Sequence, residues 1–86
     1  MDILLDNVIP GNHNRMFETN ATDEQDLLQI KEAIMRIRAI EKVEIKSNRF
    51  PVRITVYAYK LVEIAKIEEA VHDLGFNIIP KQFLSI

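Results

Sequence analysis

Ile30-Lys31-Glu32-Ala33-Ile34-Met35-Arg36-Ile37 and Ile67-Glu68-Glu69-Ala70-Val71-His72-Asp73-Leu74 match in pattern at an offset of 37 residues, with Ile, Glu and Ala in common and apolar residues at the fifth and eighth places. Each copy extends an apolar stripe. Leu27, Ile30, Ile34 and Ile37 recur at i, i+3, i+7 and i+10, as do Ile64, Ile67, Val71 and Leu74, the spacing of one buried face of an α-helix. The same offset carries Phe17 onto Ile54 and Thr19 onto Val56, so strand-like sequence falls on strand-like sequence. The chain therefore reads as two β-α-β halves. Right-handed crossovers put both helices on one face, which predicts an α+β, ferredoxin-like sandwich with a four-stranded antiparallel sheet.

Working outward from the octets, Asn14 to Asn20 is the first strand and residues 23–38 the first helix. Thr22 is a suitable N-cap, and Gln25 three positions on completes a capping box. Asp23, Glu24 and Asp26 in the first turn, with Arg36 and Arg38 in the last, match the helix dipole. Lys42-Val43-Glu44-Ile45-Lys46 alternates as a half-buried strand does, and Ser47 to Pro51 is a turn. Val52 to Tyr59 alternates again, with Val52, Ile54, Val56 and Ala58 on one face and Arg53, Thr55, Tyr57 and Tyr59 on the other. The second helix spans about residues 62–74 and ends at Gly75 as a left-handed cap. Phe76 to Lys81 is a last strand, with Pro80 marking a sheet edge.

Residues 1–13 form an amino-terminal extension to a domain spanning 14–86. Ile3, Leu4, Leu5, Val8 and Ile9 call for burial, and Pro10-Gly11-Asn12 is a turn signal. This segment is expected to pack on the domain as a short strand or loop. Residues 2–9 are expected to cover the tyrosine-bearing sheet face, since five exposed aliphatics would form a sizeable apolar patch.

Eighty-six residues hold one core. The absence of cysteine removes disulfides, a thiolate nucleophile and a soft thiolate metal site. A formal charge of −2 argues against non-specific nucleic-acid binding. No signal-peptide pattern or membrane-length apolar run is present, so the expected location is cytoplasmic. No Ser/His/Asp or Cys/His arrangement and no glycine-rich phosphate loop occurs, so the chain is not expected to be an enzyme.

Over residues 14–80 the sequence resembles the heavy-metal-associated domain family, the fold of copper chaperones and of the amino-terminal domains of copper-transporting P-type ATPases. The resemblance is carried by Phe17-Glu18-Thr19-Asn20, Ile30-Lys-Glu-Ala-Ile34, Ile40-Glu-Lys-Val43-Glu-Ile45 and Ile67-Glu-Glu-Ala-Val71-His-Asp-Leu74-Gly75-Phe76. The last follows the family's Ile-x-x-Ala-Ile-x-x-Leu-Gly-[Tyr/Phe] pattern. The family's metal-binding Cys-x-x-Cys, counted back from Ile30, falls on Asp23 and Asp26. Carboxylates do not hold Cu(I), which prefers sulfur ligands. The resemblance thus implies a non-enzymatic module of copper-type metal homeostasis that has lost its thiolate pair and keeps an interaction role. It implies docking to a related transporter or chaperone domain through the loop and helix faces. The candidate interaction residues of the chain are Thr22, Gln25, Tyr57, Tyr59 and Phe76, and a homodimer is the other partner class.

The residues leave two rival readings. Asp23 and Asp26 have the chemistry for a weak divalent ion, although helix-start acids normally serve the helix. His13 and Met16, with Met1, are soft or borderline ligands near the start of the chain, although a Met beside Phe17 ordinarily packs. His72 reads as a surface residue near a helix end. Tyr57 and Tyr59, interleaved with Arg53, have the composition of a single-stranded RNA-reading face, which the net charge disfavours. No resident cofactor is expected beyond such a weak ion.

Overall fold

In the computed structural model, which describes residues 7–81, the elements run β1 (Val8–Ile9), β2 (His13–Thr19), α1 (Glu24–Met35), β3 (Ile40–Lys46), β4 (Val52–Ala58), β5 (Val62–Glu63), α2 (Ile64–His72) and β6 (Ile78–Pro80). β2, β3, β4 and β6 form a four-stranded antiparallel sheet in the order β3-β4-β2-β6. This is the ferredoxin-like arrangement expected from the repeat. β1 and β5 make a separate two-stranded pair.

Alternation decides which side of the sheet is covered. Val52, Ile54, Val56 and Ala58 of β4 are buried, as are Phe17 and Thr19 of β2, Val43 of β3 and Ile78 of β6. Onto them α1 lays Leu27, Ile30 and Ile34, and α2 lays Ile64, Ile67 and Val71. Each fully buried aliphatic or phenyl side chain contributes about 1.5–3 kcal/mol relative to exposure.

The repeat is visible in the sheet itself. Phe17 and Ile54, equivalent at the 37-residue offset, are also direct cross-strand partners in the β2–β4 ladder. Two equivalent residues face each other only where a pseudo-two-fold axis passes between them. Both are fully buried, so the duplicated halves meet at the centre of the core.

Several expected boundaries shift. β2 begins at His13 rather than Asn14, and β4 ends at Ala58, leaving Tyr59 outside it. α1 stops at Met35 with Arg36 as its C-cap, so Arg36 and Arg38 do not lie in its last turn. Ile37 still packs against the core from the connection that follows, which explains why the apolar period outruns the helix. Ala39 turns the chain there with a φ of 82°, and its carbonyl accepts from the Tyr59 N–H at 2.9 Å. Leu74, expected in the buried stripe of α2, lies beyond that helix and is 37% exposed.

Gly75 does end the α2 region as expected. Its φ is +93°, its N–H donates to His72 O at 2.9 Å, and the Phe76 N–H donates to Val71 O at 3.3 Å. These are the two bonds of a Schellman cap.

The start of the chain is placed differently from expectation. The Pro10–Asn12 turn forms, closed by the His13 N–H on Pro10 O at 3.2 Å. Val8 and Ile9, however, pair with Glu63 and Val62, and the Ile64 N–H donates to Asn7 O at 2.8 Å. Residues 7–9 thus pack at the start of α2, with Ile9 fully buried, and do not cover the tyrosine face. The expectation for residues 2–6, Met1 included, lies outside the described residues.

Gly75→Ala is expected to destabilise the domain by about 1–2 kcal/mol through the left-handed backbone alone, because an added Cβ meets nothing within 4 Å. Thermal unfolding followed by circular dichroism measures it, and an unchanged midpoint refutes the cap.

Candidate functional site

The corner between β2 and α1 is built by hydrogen bonds that cross the molecule. Thr19, buried, donates its hydroxyl to Asn77 O at 2.6 Å, and the same oxygen accepts the Ala21 N–H at 3.4 Å. The Asn77 N–H donates back to Asn20 Oδ1 at 2.9 Å. Asn77 therefore clasps the corner from the loop before β6, and Ala21 is buried in the core cluster.

From that anchor the chain turns into α1, and the N-cap is Asp23, not Thr22. Asp23 has an extended backbone and its Oδ1 accepts the Gln25 N–H at 2.9 Å. The expected Thr22/Gln25 capping box is replaced by this aspartate cap, since both residue types cap well and the helix starts one residue later. Thr22 and Gln25 are exposed, and Asp26 is half-buried in the first turn.

The two aspartates stand at the positive end of the α1 dipole, which stabilises their charge and disfavours a cation. Among the described residues no three His, Asp or Glu side chains gather as a metal-binding group. His13 and Met16 stand three apart on β2 and so lie on opposite faces of the sheet. His72 is exposed in the last turn of α2. Phe76 is half-buried and packed against the core.

The sheet face away from the helices is open among the described residues and is electrically organised. Glu18 receives Arg49 at 3.4 Å, Lys81 at 3.5 Å and Arg53 at 3.8 Å. Glu44 accepts the Tyr57 hydroxyl at 3.0 Å and the Lys42 ammonium at 3.4 Å. Lys42 also lies 4.6 Å from the centre of the Tyr57 ring. With Lys46, this face carries five cations against two carboxylates. The helices and their caps have the opposite balance: Asp23, Glu24, Asp26, Glu32, Glu63, Glu68, Glu69 and Asp73 against Lys31, Arg36 and Lys66.

The Tyr57 hydrogen bond is the main reason that the Glu44 carboxyl is held below its ordinary range, with Lys42 adding to it. The same bond raises the Tyr57 phenol. Lys42 and Glu44 thus engage Tyr57 at its ring and at its hydroxyl. Tyr59 is 49% exposed beyond the end of β4.

Sequence reasoning missed Asn77, Glu18 and Arg15. Arg15 lies on the core side of β2, 4% exposed, and its Nε donates to Lys81 O at 2.8 Å. Strand alternation identifies the faces on which Glu18 and Arg15 lie, but their partners depend on the β2–β4 and β2–β6 registers, which the alternation does not contain.

A comparison with solved structures finds the solution structure of the yeast copper transporter domain CCC2A in its apo and Cu(I)-loaded states. That structure superposes with a TM-score of 0.70 at 16% identity, covering 80% of this chain and 94% of the other. At that identity the likeness is one of fold. No family model matches the chain, and no curated protein matches it. Among the described residues no helix is long and apolar enough to cross a membrane.

Two substitutions separate the capping assignments: Asp23→Ala should cost about 1 kcal/mol, while Thr22→Ala should change stability by less than about 0.5 kcal/mol. Chemical denaturation checks both, and the reverse ranking refutes the aspartate cap. Tyr57→Phe should move the Glu44 pKa up toward the ordinary carboxylate value, read from side-chain carboxyl NMR shifts. A lowered folded-state pKa stabilises above the unfolded value and is lost as pH falls through the folded one, so the acid limb of the stability profile should shallow in this variant.

Proposed function

We propose that this chain is a heavy-metal-associated-like domain without its thiolate metal site, acting as a non-enzymatic interaction module in metal-ion homeostasis. The observation that carries this reading is Asp23. It occupies the position of the family's first cysteine in the resemblance, and its carboxylate is engaged as the cap of α1. Asp26 occupies the second position, in the first helical turn. A Cu(I) ion seeks two thiolates in a near-linear arrangement, and this corner offers oxygen donors only.

The likeness in fold to a copper transporter domain supports the homeostasis context. The role left to a domain with this fold and no thiolates is recognition: it docks onto a related transporter or chaperone domain. The exposed corner residues Thr22 and Gln25 lie where the family makes its contacts. The cytoplasm is the compartment proposed for such an encounter.

Titration with Cu(I), Zn(II) and Ni(II) under two-dimensional NMR tests the metal-free reading. The expected result is no saturable shift at residues 20–27 with any ion. Shifts there that saturate at micromolar metal would overturn the reading and restore an oxygen-ligand site at Asp23 and Asp26.

A further inference from the structure

We propose that β3 is a self-association edge: two copies pair antiparallel through β3 about a two-fold axis at Val43, joining their sheets into one. The two edges of the sheet are unequal. β6 has three residues, one of them Pro80, which has no N–H to offer. β3 has seven residues and no proline, and among the described residues its outer edge pairs with no strand; an open edge of that length is a template for another strand.

The outward-facing backbone groups of β3 follow from the ladder. Ala58 O accepts from Asn12 on the β2 side, and the Tyr59 N–H donates to Ala39 on the β3 side. Alternation then directs Tyr57, Thr55 and Arg53 toward β3. Their register partners are Lys42, Glu44 and Lys46, which use their backbone groups on β4. Val43 and Ile45 turn theirs outward, to a second strand.

Charge selects the register. With the axis at Val43, the Val43 backbones bond each other, and Lys42 of each copy stands opposite Glu44 of the other. Lys42 and Glu44 already pair within one strand at 3.4 Å, so the four groups alternate in sign around a square. An axis at Glu44 sets Glu44 against Glu44 and Lys42 against Lys46. An axis at Lys42 sets lysine against lysine, and one at Ile45 pairs only the end of the strand. Like charges directly opposite are destabilising and opposite ones stabilising.

The Val43 axis also keeps both helix layers on the same side of the joined sheet. The groove between α1 and β3 of each copy, lined by Leu27, Leu28, Lys31, Val43 and Ile45, then borders the seam. Leu28, 54% exposed in the single copy, lies on the side of the joined sheet that carries both helix layers.

Sedimentation equilibrium of the full chain at low salt, up to about 1 mM, tests the proposal. A reversible monomer–dimer equilibrium is expected. Glu44→Lys or Lys42→Glu alone should raise the dimer Kd about tenfold, and the K42E/E44K double variant should return it to within about threefold of the parent. A parent chain that stays monomeric at about 1 mM overturns the proposal, as does a dimer indifferent to either single change or not restored by the double one. Circular dichroism confirms folding of each variant. If Glu44→Lys fails to fold, Glu44→Gln takes its place, with a rise in Kd of about threefold expected and an unchanged Kd counting against the proposal.

Discussion

Phe17 facing Ile54 is the contact on which the architecture turns. It joins the two halves of the duplication at their pseudo-axis, fully buried on both sides. The strand order β3-β4-β2-β6 alternates first half, second half, first half, second half, so every seam of the sheet joins strands of opposite halves. Neither half can bury its helix stripe on a sheet of its own. The 37-residue repeat is therefore a condition of the core as well as a pattern in the chain.

That dependence explains what was legible in the amino-acid order. The spacings around Ile30, Ile34, Ile67 and Val71, and the alternation of Val52 to Ala58, report burial directly, because periodicity is how a core face is written. From them the two helices, the strands and the layer arrangement could be read. Exact helix ends could not, because Ile37 keeps its apolar phase outside α1 and Leu74 keeps it outside α2 without being buried. The aliphatics at 8 and 9 announced burial but not its location. Their partners, Val62 and Glu63, lie more than fifty residues away.

The β2–α1 corner was partly legible. The resemblance located Asp23 and Asp26, and elementary helix chemistry identified them as first-turn acids. The step from Thr22 to Asp23 as cap was not readable, since the two residues are adjacent and both accept from a helix N–H. The clasp by Asn77 was invisible for a different reason: it joins residues 57 and 58 positions apart, brought together by the β2–β6 seam. The ion pairs of Glu18 and the Tyr57–Glu44–Lys42 cluster belong to the same class, legible only once strand register is known.

The uneven sharing of charge between the sheet face and the helices has a consequence for how this molecule meets another. In a chain whose formal charge is only −2, the described residues nonetheless separate charge, with a positive balance on the open sheet face and a negative one on the helices. Before any contact, such a separation of charge experiences a torque in the field of a charged body. Over a Debye length of about 8 Å at physiological salt, a negatively charged body is approached sheet-first and a positively charged one helix-first. The orientation of an encounter is thus set at a distance, by the field of the whole molecule.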